Sequence, residues 1–347
     1  MCEMCAYVGR KKQAAPILLE YGSRIEGLWS GFCTGIGVQN NNGTLQLRKT
    51  LGYSRYWKEQ YKITDLPGMV GFFHSRTGYQ GCPGDSRFAH PFLSSDGEVM
   101  AVSQGAIGIF AEKSGSISRI GNELLKKGRQ FASADFHLEA DRYNALDDGS
   151  RVHMSNIVCE YVASLLESGY TPLEAIRKAG MDIQEESATM FLMRKYPGHL
   201  FVINMNQRLG IYFHDVGISL ATCALAYGDD RVNLMEMPLN SVLDITADTI
   251  RIEKLSNELQ PYQKIPAGLQ DAFLEWTAEH PDTMLPHVMD NVLKVRQYPP
   301  RVLRHVPTHE IFEQLYYDGK LELSSQEYPG IRQEENSIRT VISLRNK

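Results

Sequence analysis

Short apolar runs bounded by turn residues fall into two series, with a block of helical periodicity between them. The first series reads Cys5–Gly9, Thr34–Val38, Leu45–Leu47, Val70–His74, Val99–Ser103 and Ile107–Phe110, and an Asn40-Asn41-Asn42-Gly43 turn marks hairpin-length loops. The second reads Ala188–Arg194, Leu200–Asn204, Leu209–Phe213, Val232–Met235, Ser241–Ile245 and Ile250–Glu253. Helical spacing occupies Ile120–Lys127, Ser155–Glu167 and Pro172–Ala179, and an earlier amphipathic helix spans Pro16–Trp29 with Ile17, Leu18, Tyr21, Ile25 and Leu28 on one face. A doubly wound parallel sheet needs strands and helices in regular alternation, which this order excludes. The order predicts an α+β fold in which two antiparallel sheets are covered by segregated helices.

Beyond Leu255 a proline-punctuated segment leads to helix-like runs at Gly268–Glu279, Thr283–Val295 and Thr308–Leu315, then an Asp318-Gly319 turn and Lys320–Leu323. We therefore divide the chain into a domain over 1–255 and a helical and hairpin appendage over 256–347. The helix, helix, hairpin order is similar to a winged helix, but basic and acidic residues balance there, which argues against DNA binding. Across the chain 36 Lys+Arg against 41 Asp+Glu give a net charge of -5, too weak a field to draw it to nucleic acid or an anionic membrane. Six scattered cysteines in 347 residues do not make a secreted disulfide framework. Met1–Arg10 has neither the basic start nor the apolar run of a signal peptide, and no apolar stretch reaches about 18 residues. A reducing cytoplasm is the expected location.

The chain starts Met1-Cys2-Glu3-Met4-Cys5, with a cysteine just before the first strand. With Met1 removed, Cys2 would carry a free α-amine of reference pKa about 7.7–8.0, a base for the thiol on the same residue. The plainer readings are a packed core cysteine, or a Cys2-x-x-Cys5 pair that lacks the further ligands of a metal site. A second segment, Val70-Gly71-Phe72-Phe73-His74-Ser75-Arg76-Thr77, brings Arg76 to the end of a strand. Arginine is shaped to hold a carboxylate through two parallel hydrogen bonds, although most strand-end arginines are surface ion pairs. A third, Ser103-Gln104-Gly105-Ala106, puts a side-chain amide beside a glycine N–H. That is the composition of an oxyanion hole, where each donor contributes about 3–4 kcal/mol to a tetrahedral intermediate; alone it is an ordinary turn.

In order, Cys2, His74-Ser75-Arg76, Ala89-His90-Pro91 and Gln104-Gly105 resemble the motifs of the class II glutamine amidotransferase domain, the N-terminal-nucleophile hydrolase that forms the glutaminase half of glucosamine-6-phosphate synthase. The resemblance covers roughly residues 2–253. It implies a four-layer αββα sandwich with Cys2 as nucleophile, Gln104 and Gly105 as oxyanion donors, and Arg76 and Thr77 on the substrate. Asp135, in Phe131-Ala132-Ser133-Ala134-Asp135, would take the substrate α-amine, but an insertion of about twenty residues follows it, and another alignment puts Met154 there.

Two departures from the family pattern bear on activity. Glu3 replaces a glycine and places a carboxylate near a thiol that must ionise. Gln104 replaces an asparagine and moves the amide out by a methylene. The implied partners are glutamine or a related amino acid, a separately encoded acceptor of ammonia and, for a homo-oligomer, a second copy of the chain. No cofactor, metal, nucleic acid or membrane is expected. After residue 255 no phosphate-cradling glycine loop follows, and the length is short for an isomerase half. The alternatives are a catalytically weakened, amino-acid-binding regulatory protein and an amidase for another substrate.

Overall fold

A computed structural model describes residues 2–55, 65–78, 83–106, 115–138, 143–183, 186–229, 232–256, 267–295, 305–329 and 336–345. The chain runs β1 (Glu3–Gly9), α1 (Ala14–Ile25), β2 (Cys33–Gln39), β3 (Leu45–Leu51), β4 (Val70–Arg76), β5 (Phe92–Leu93) and β6 (Val99–Ala106). Three helices follow around a short hairpin: α2 (Gly115–Lys126), β7 (Asn144–Ala145), β8 (Arg151–Val152), α3 (Met154–Glu167) and α4 (Pro172–Ile183). The second strand series is β9 (Glu186–Met193), β10 (Leu200–Asn204), β11 (Gly210–His214), β12 (Gly217–Ala221), β13 (Leu234–Glu236), β14 (Ser241–Ile245) and β15 (Ile250–Lys254).

These strands form two antiparallel sheets, ordered β13-β11-β12-β1-β4-β2-β3 and β15-β14-β10-β9-β6-β5. Period-2 alternation decides what each sheet buries. On β1, Met4, Ala6 and Val8 face the space between the sheets, where they meet Phe72, Met100, Val102, Met190 and Leu220. Cys5 and Tyr7 face the other way, against Leu18 of α1. The outer face of the second sheet is covered by α2, α3 and α4 through Ile120, Leu124, Ile157, Val162 and Ile176. The result is the expected αββα layering, with β1 buried on both faces.

The remaining elements are α5 (Leu269–Glu279), β16 (Thr283–Met284), α6 (Leu285–Val295), α7 (His305–Tyr317), β17 (Leu321–Pro329) and β18 (Asn336–Leu344). They pack Phe273, Leu285, Phe312 and Ile342 into the same apolar layer as α1. Thr283 and Met284 pair with Ile342 and Val341 instead of opening the helix, a long-range pairing that helical periodicity does not contain. Strand β12 likewise has no counterpart among the sequence-predicted strands; its Gly-Ile-Ser-Leu-Ala run is short, yet it is the neighbour of β1. The run Ile107–Phe110 lies outside the described residues.

Candidate active site

The site assembles where β1 begins and β4 and β6 end. Glu3 pairs with Ser75 and Met4 with His74 on β4, so Cys2, one step further, comes level with Arg76. Parity then sets directions. Cys2 shares a face with Met4, His74 and Arg76 share one with Phe72, and Gln104 shares one with Val102, all of them turned into the gap between the sheets. His74 Nε2 donates to the Ser103 carbonyl at 3.1 Å and so ties the first sheet to the second beside Gln104. Glu26, just after α1, accepts from Ser75 Oγ at 3.0 Å, Thr34 Oγ1 at 2.7 Å and Ser54 N at 2.9 Å, bracing this end of β4 from behind.

Cys2 is partly exposed. Burial of its surroundings pushes the thiol up, but the charge and hydrogen bond of His74, then the charge of the N-terminus and the backbone of Thr77, overcome this and draw its pKa down to about 6. The thiolate is therefore the main form at neutral pH. Glu3 does not oppose it as its position in the sequence suggests. Alternation turns its side chain to the opposite face of β1, where one oxygen accepts from Thr222 Oγ1, and burial raises its carboxyl to about 8. The group next to the nucleophile is thus mostly neutral at pH 7.

Arg76 is 3% exposed. Its Nη1 donates to the Phe88 carbonyl at 3.0 Å and its Nη2 to the Tyr143 hydroxyl. Tyr143 stands just before the β7-β8 hairpin, between Asp135 and α3. Around them lie His90, 3.9 Å from His74 between ring centroids, and His153, 5.1 Å from His90. Burial, then neighbouring positive groups that include Arg76, hold both imidazoles well below their ordinary pKa, hence neutral. Gly35 of β2 makes room for this layer: a Cβ there would lie 1.7 Å from the His90 carbonyl oxygen.

The sequence candidates divide accordingly. Cys2 stands level with the end of β4 that carries Arg76 and Thr77, whose Oγ1 donates to the Trp29 carbonyl, and Gln104 and Gly105 follow Ser103, the partner of His74, on β6. Asp135 is engaged elsewhere: its carboxylate accepts from Arg87 Nη2 at 3.1 Å and from the His137 N–H at 2.8 Å, and its backbone bridges to Arg151. Met154 opens α3 directly after His153. His74, His90, Tyr143 and His153 join the site without having been among the sequence candidates. His74 and His90 stand inside the quoted motifs, whereas nothing local marks Tyr143. Among the described residues no helix is long and apolar enough to cross a membrane.

No family model matches the chain. The glutamine–fructose-6-phosphate aminotransferase of Thermococcus kodakarensis is 26% identical over 203 residues, 58% of this chain and 29% of that protein. The same enzyme from Pseudomonas aeruginosa is 36% identical over 107 residues, 30% of this chain and 17% of that protein. The chain thus spans less than a third of the length of these curated relatives. Among solved structures, glutamine phosphoribosylpyrophosphate amidotransferase from B. subtilis superposes with a TM-score of 0.59 at 13% identity, covering 95% of this chain and 68% of that one. The allosteric regulatory enzyme of purine biosynthesis gives 0.58 at 14%, covering 81% and 58%. The chain carries a domain related to the class II glutamine amidotransferases and has their N-terminal-nucleophile hydrolase fold.

Proposed function

From this relationship we propose that the chain hydrolyses the side-chain amide of glutamine through a thioester on Cys2 and supplies the ammonia to a separate acceptor protein. The observation that carries the reading is the Cys2 thiol, lowered to about 6 beside His74 at the meeting of three strand ends. The thiolate attacks the carboxamide carbon, and the oxyanion takes hydrogen bonds from the Gly105 N–H and the Gln104 amide. The C–N bond breaks as nitrogen gains a proton and leaves as ammonia. Water then cleaves the thioester, releasing glutamate and restoring the thiol. The proton is held by His74 and, where Met1 has been removed, by the α-amine of Cys2. Arg76 and Thr77 would receive the substrate carboxylate. The described cysteines are all free thiols, in keeping with a reducing cytoplasm.

Glutamate release from glutamine, measured beside a Cys2→Ala control, tests the proposal. Release by the native protein alone supports it, and equal release by both proteins overturns it. Intact mass supplies the second arm, because retention of Met1 removes the α-amine and leaves His74 as the base.

One observation favours the second reading, a weakened member of the fold that binds an amino acid and regulates a partner. Tyr143 and the Phe88 carbonyl already occupy donors of Arg76. Glutamine binding without turnover by the native protein would select this reading.

A further inference from the structure

A second cluster of reactive side chains lies on the opposite side of β1 from the candidate active site. Cys223 Sγ, a ring nitrogen of His309 and a carboxylate oxygen of Glu313 are all within 4.8 Å of one another. Their residues are 1%, 2% and 2% exposed, so the cluster is deeply buried. His309 and Glu313 stand one turn apart on α7 and share a face, while Cys223 lies in the loop that leaves β12. The site therefore joins the C-terminal helix to the strand next to β1.

We propose that Cys223, His309 and Glu313 bind a divalent transition metal of the zinc class. The donor set selects the ion: a thiolate and an imidazole favour zinc, cobalt or iron over calcium or magnesium, which take oxygen ligands. The spacing is slightly wider than a coordination sphere, and small rotations of the three side chains close it. The Cys223 thiol donates its proton toward Glu313, and on metal binding that proton passes to solvent while sulfur and oxygen bond the cation. Glu313 accepts from Arg208 Nη2 at 2.8 Å and from the Ala224 N–H at 3.0 Å; its two oxygens together offer about four lone-pair sites, so a metal bond is compatible with both. Trp29 stacks on the His309 ring, 5.3 Å between centroids, and fixes its orientation. Three protein ligands leave a fourth position for water.

The location also suggests what the metal does. Thr222, adjacent to Cys223, donates to Glu3, and Glu3 adjoins Cys2. An ion on Cys223 would pin α7 to the end of β12 and hold β1 in place from behind.

The test uses the purified full chain, stripped with chelator and then titrated with Zn2+ or Co2+. The expected result is one equivalent of zinc per chain that survives gel filtration, and a thiolate-to-cobalt absorption band in the near ultraviolet. Cys223→Ser should abolish that band, Cys5→Ser should leave it intact, and His309→Gln and Glu313→Gln should each weaken zinc binding tenfold or more. A folded native protein that retains no zinc and shows no such band with Co2+ overturns the proposal, as does a band that persists in Cys223→Ser. Because the spectrum of the native protein decides by itself, a variant that fails to fold does not rescue the idea.

Discussion

His74 gives its Nε2 proton to the carbonyl of Ser103 across 3.1 Å, and this single bond ties the strand that carries Arg76 to the strand that carries Gln104. Since a carbonyl only accepts, Nε2 must hold the proton of this bond. The histidine thus positions two sheets and sets the ionisation of one thiol.

His74→Gln keeps a donor for Ser103 but loses the positive charge. The midpoint of Cys2 alkylation by iodoacetamide against pH should move from about 6 towards its ordinary 9, because burial is then opposed only by the charge of the N-terminus and the backbone of Thr77. Peptide mapping restricts the reading to Cys2. An unmoved midpoint would show that His74 does not control the thiol.

Arg76→Lys should raise KM for glutamine tenfold or more while kcat changes little. Lysine offers a point charge where arginine offers a fork, and tenfold corresponds to about 1.4 kcal/mol of lost binding. Tyr143→Phe removes the hydroxyl that now takes Nη2 and should lower KM. Steady-state kinetics of both variants check this; a KM raised by Tyr143→Phe would mean that the tyrosine holds substrate instead of competing with it.

Glu3 makes stability fall as pH rises. Burial raises its folded pKa to about 8 against an ordinary 4.5, so between those values unfolding releases a proton that folding had to retain. The contribution is fully present below 4.5, is lost progressively up to about 8, and is constant beyond. Every tenfold gain in proton affinity on folding is worth about 1.4 kcal/mol, so the total is a few kcal/mol. Glu3→Gln keeps the acceptor for Thr222 without the charge. Thermal unfolding of both proteins in chelator, scanned from acid to alkaline pH, should show a shallower decline for the variant; parallel curves would refute it.

Gly35→Ala should destabilise the fold by about 1–3 kcal/mol or more, since the new Cβ would meet a backbone oxygen at 1.7 Å that no side-chain rotation relieves. Differential scanning calorimetry should place Tm several degrees lower. The His90 segment must also shift, so Cys2 alkylation should lose its low midpoint as well.

Much of the scaffold is legible directly in the chain. Val70–His74 and Ser241–Ile245 are strands because their apolar residues recur at the right period, and Ser155–Glu167 and Pro172–Ala179 are helical for the same kind of reason. The elements that escape such a reading depend on distant partners. Strand β12 is a five-residue run that becomes a strand by filling the place between β1 and β11, and Thr283–Met284 is extended because β18 lies alongside. The site follows the same division. Cys2, Arg76, Gln104 and Gly105 stand out by residue type and motif order, whereas Tyr143 gives no local sign of its role because its importance lies entirely in meeting Arg76.

Local pattern along the chain is enough to specify the two strand series, the helices between them and the motifs that place Cys2, Arg76 and Gln104 at strand ends. What those residues face was settled by the folded arrangement alone. Pairing register brought Cys2 level with Arg76, and alternation along β1 turned Cys2 and Glu3 to opposite sides. The carboxylate that looked like an obstacle to the thiol is instead buried behind it, near Cys223, His309 and Glu313. The physical reason is range: periodicity is a property of neighbouring residues, but register, burial and proton affinity depend on which distant segments come to rest against them.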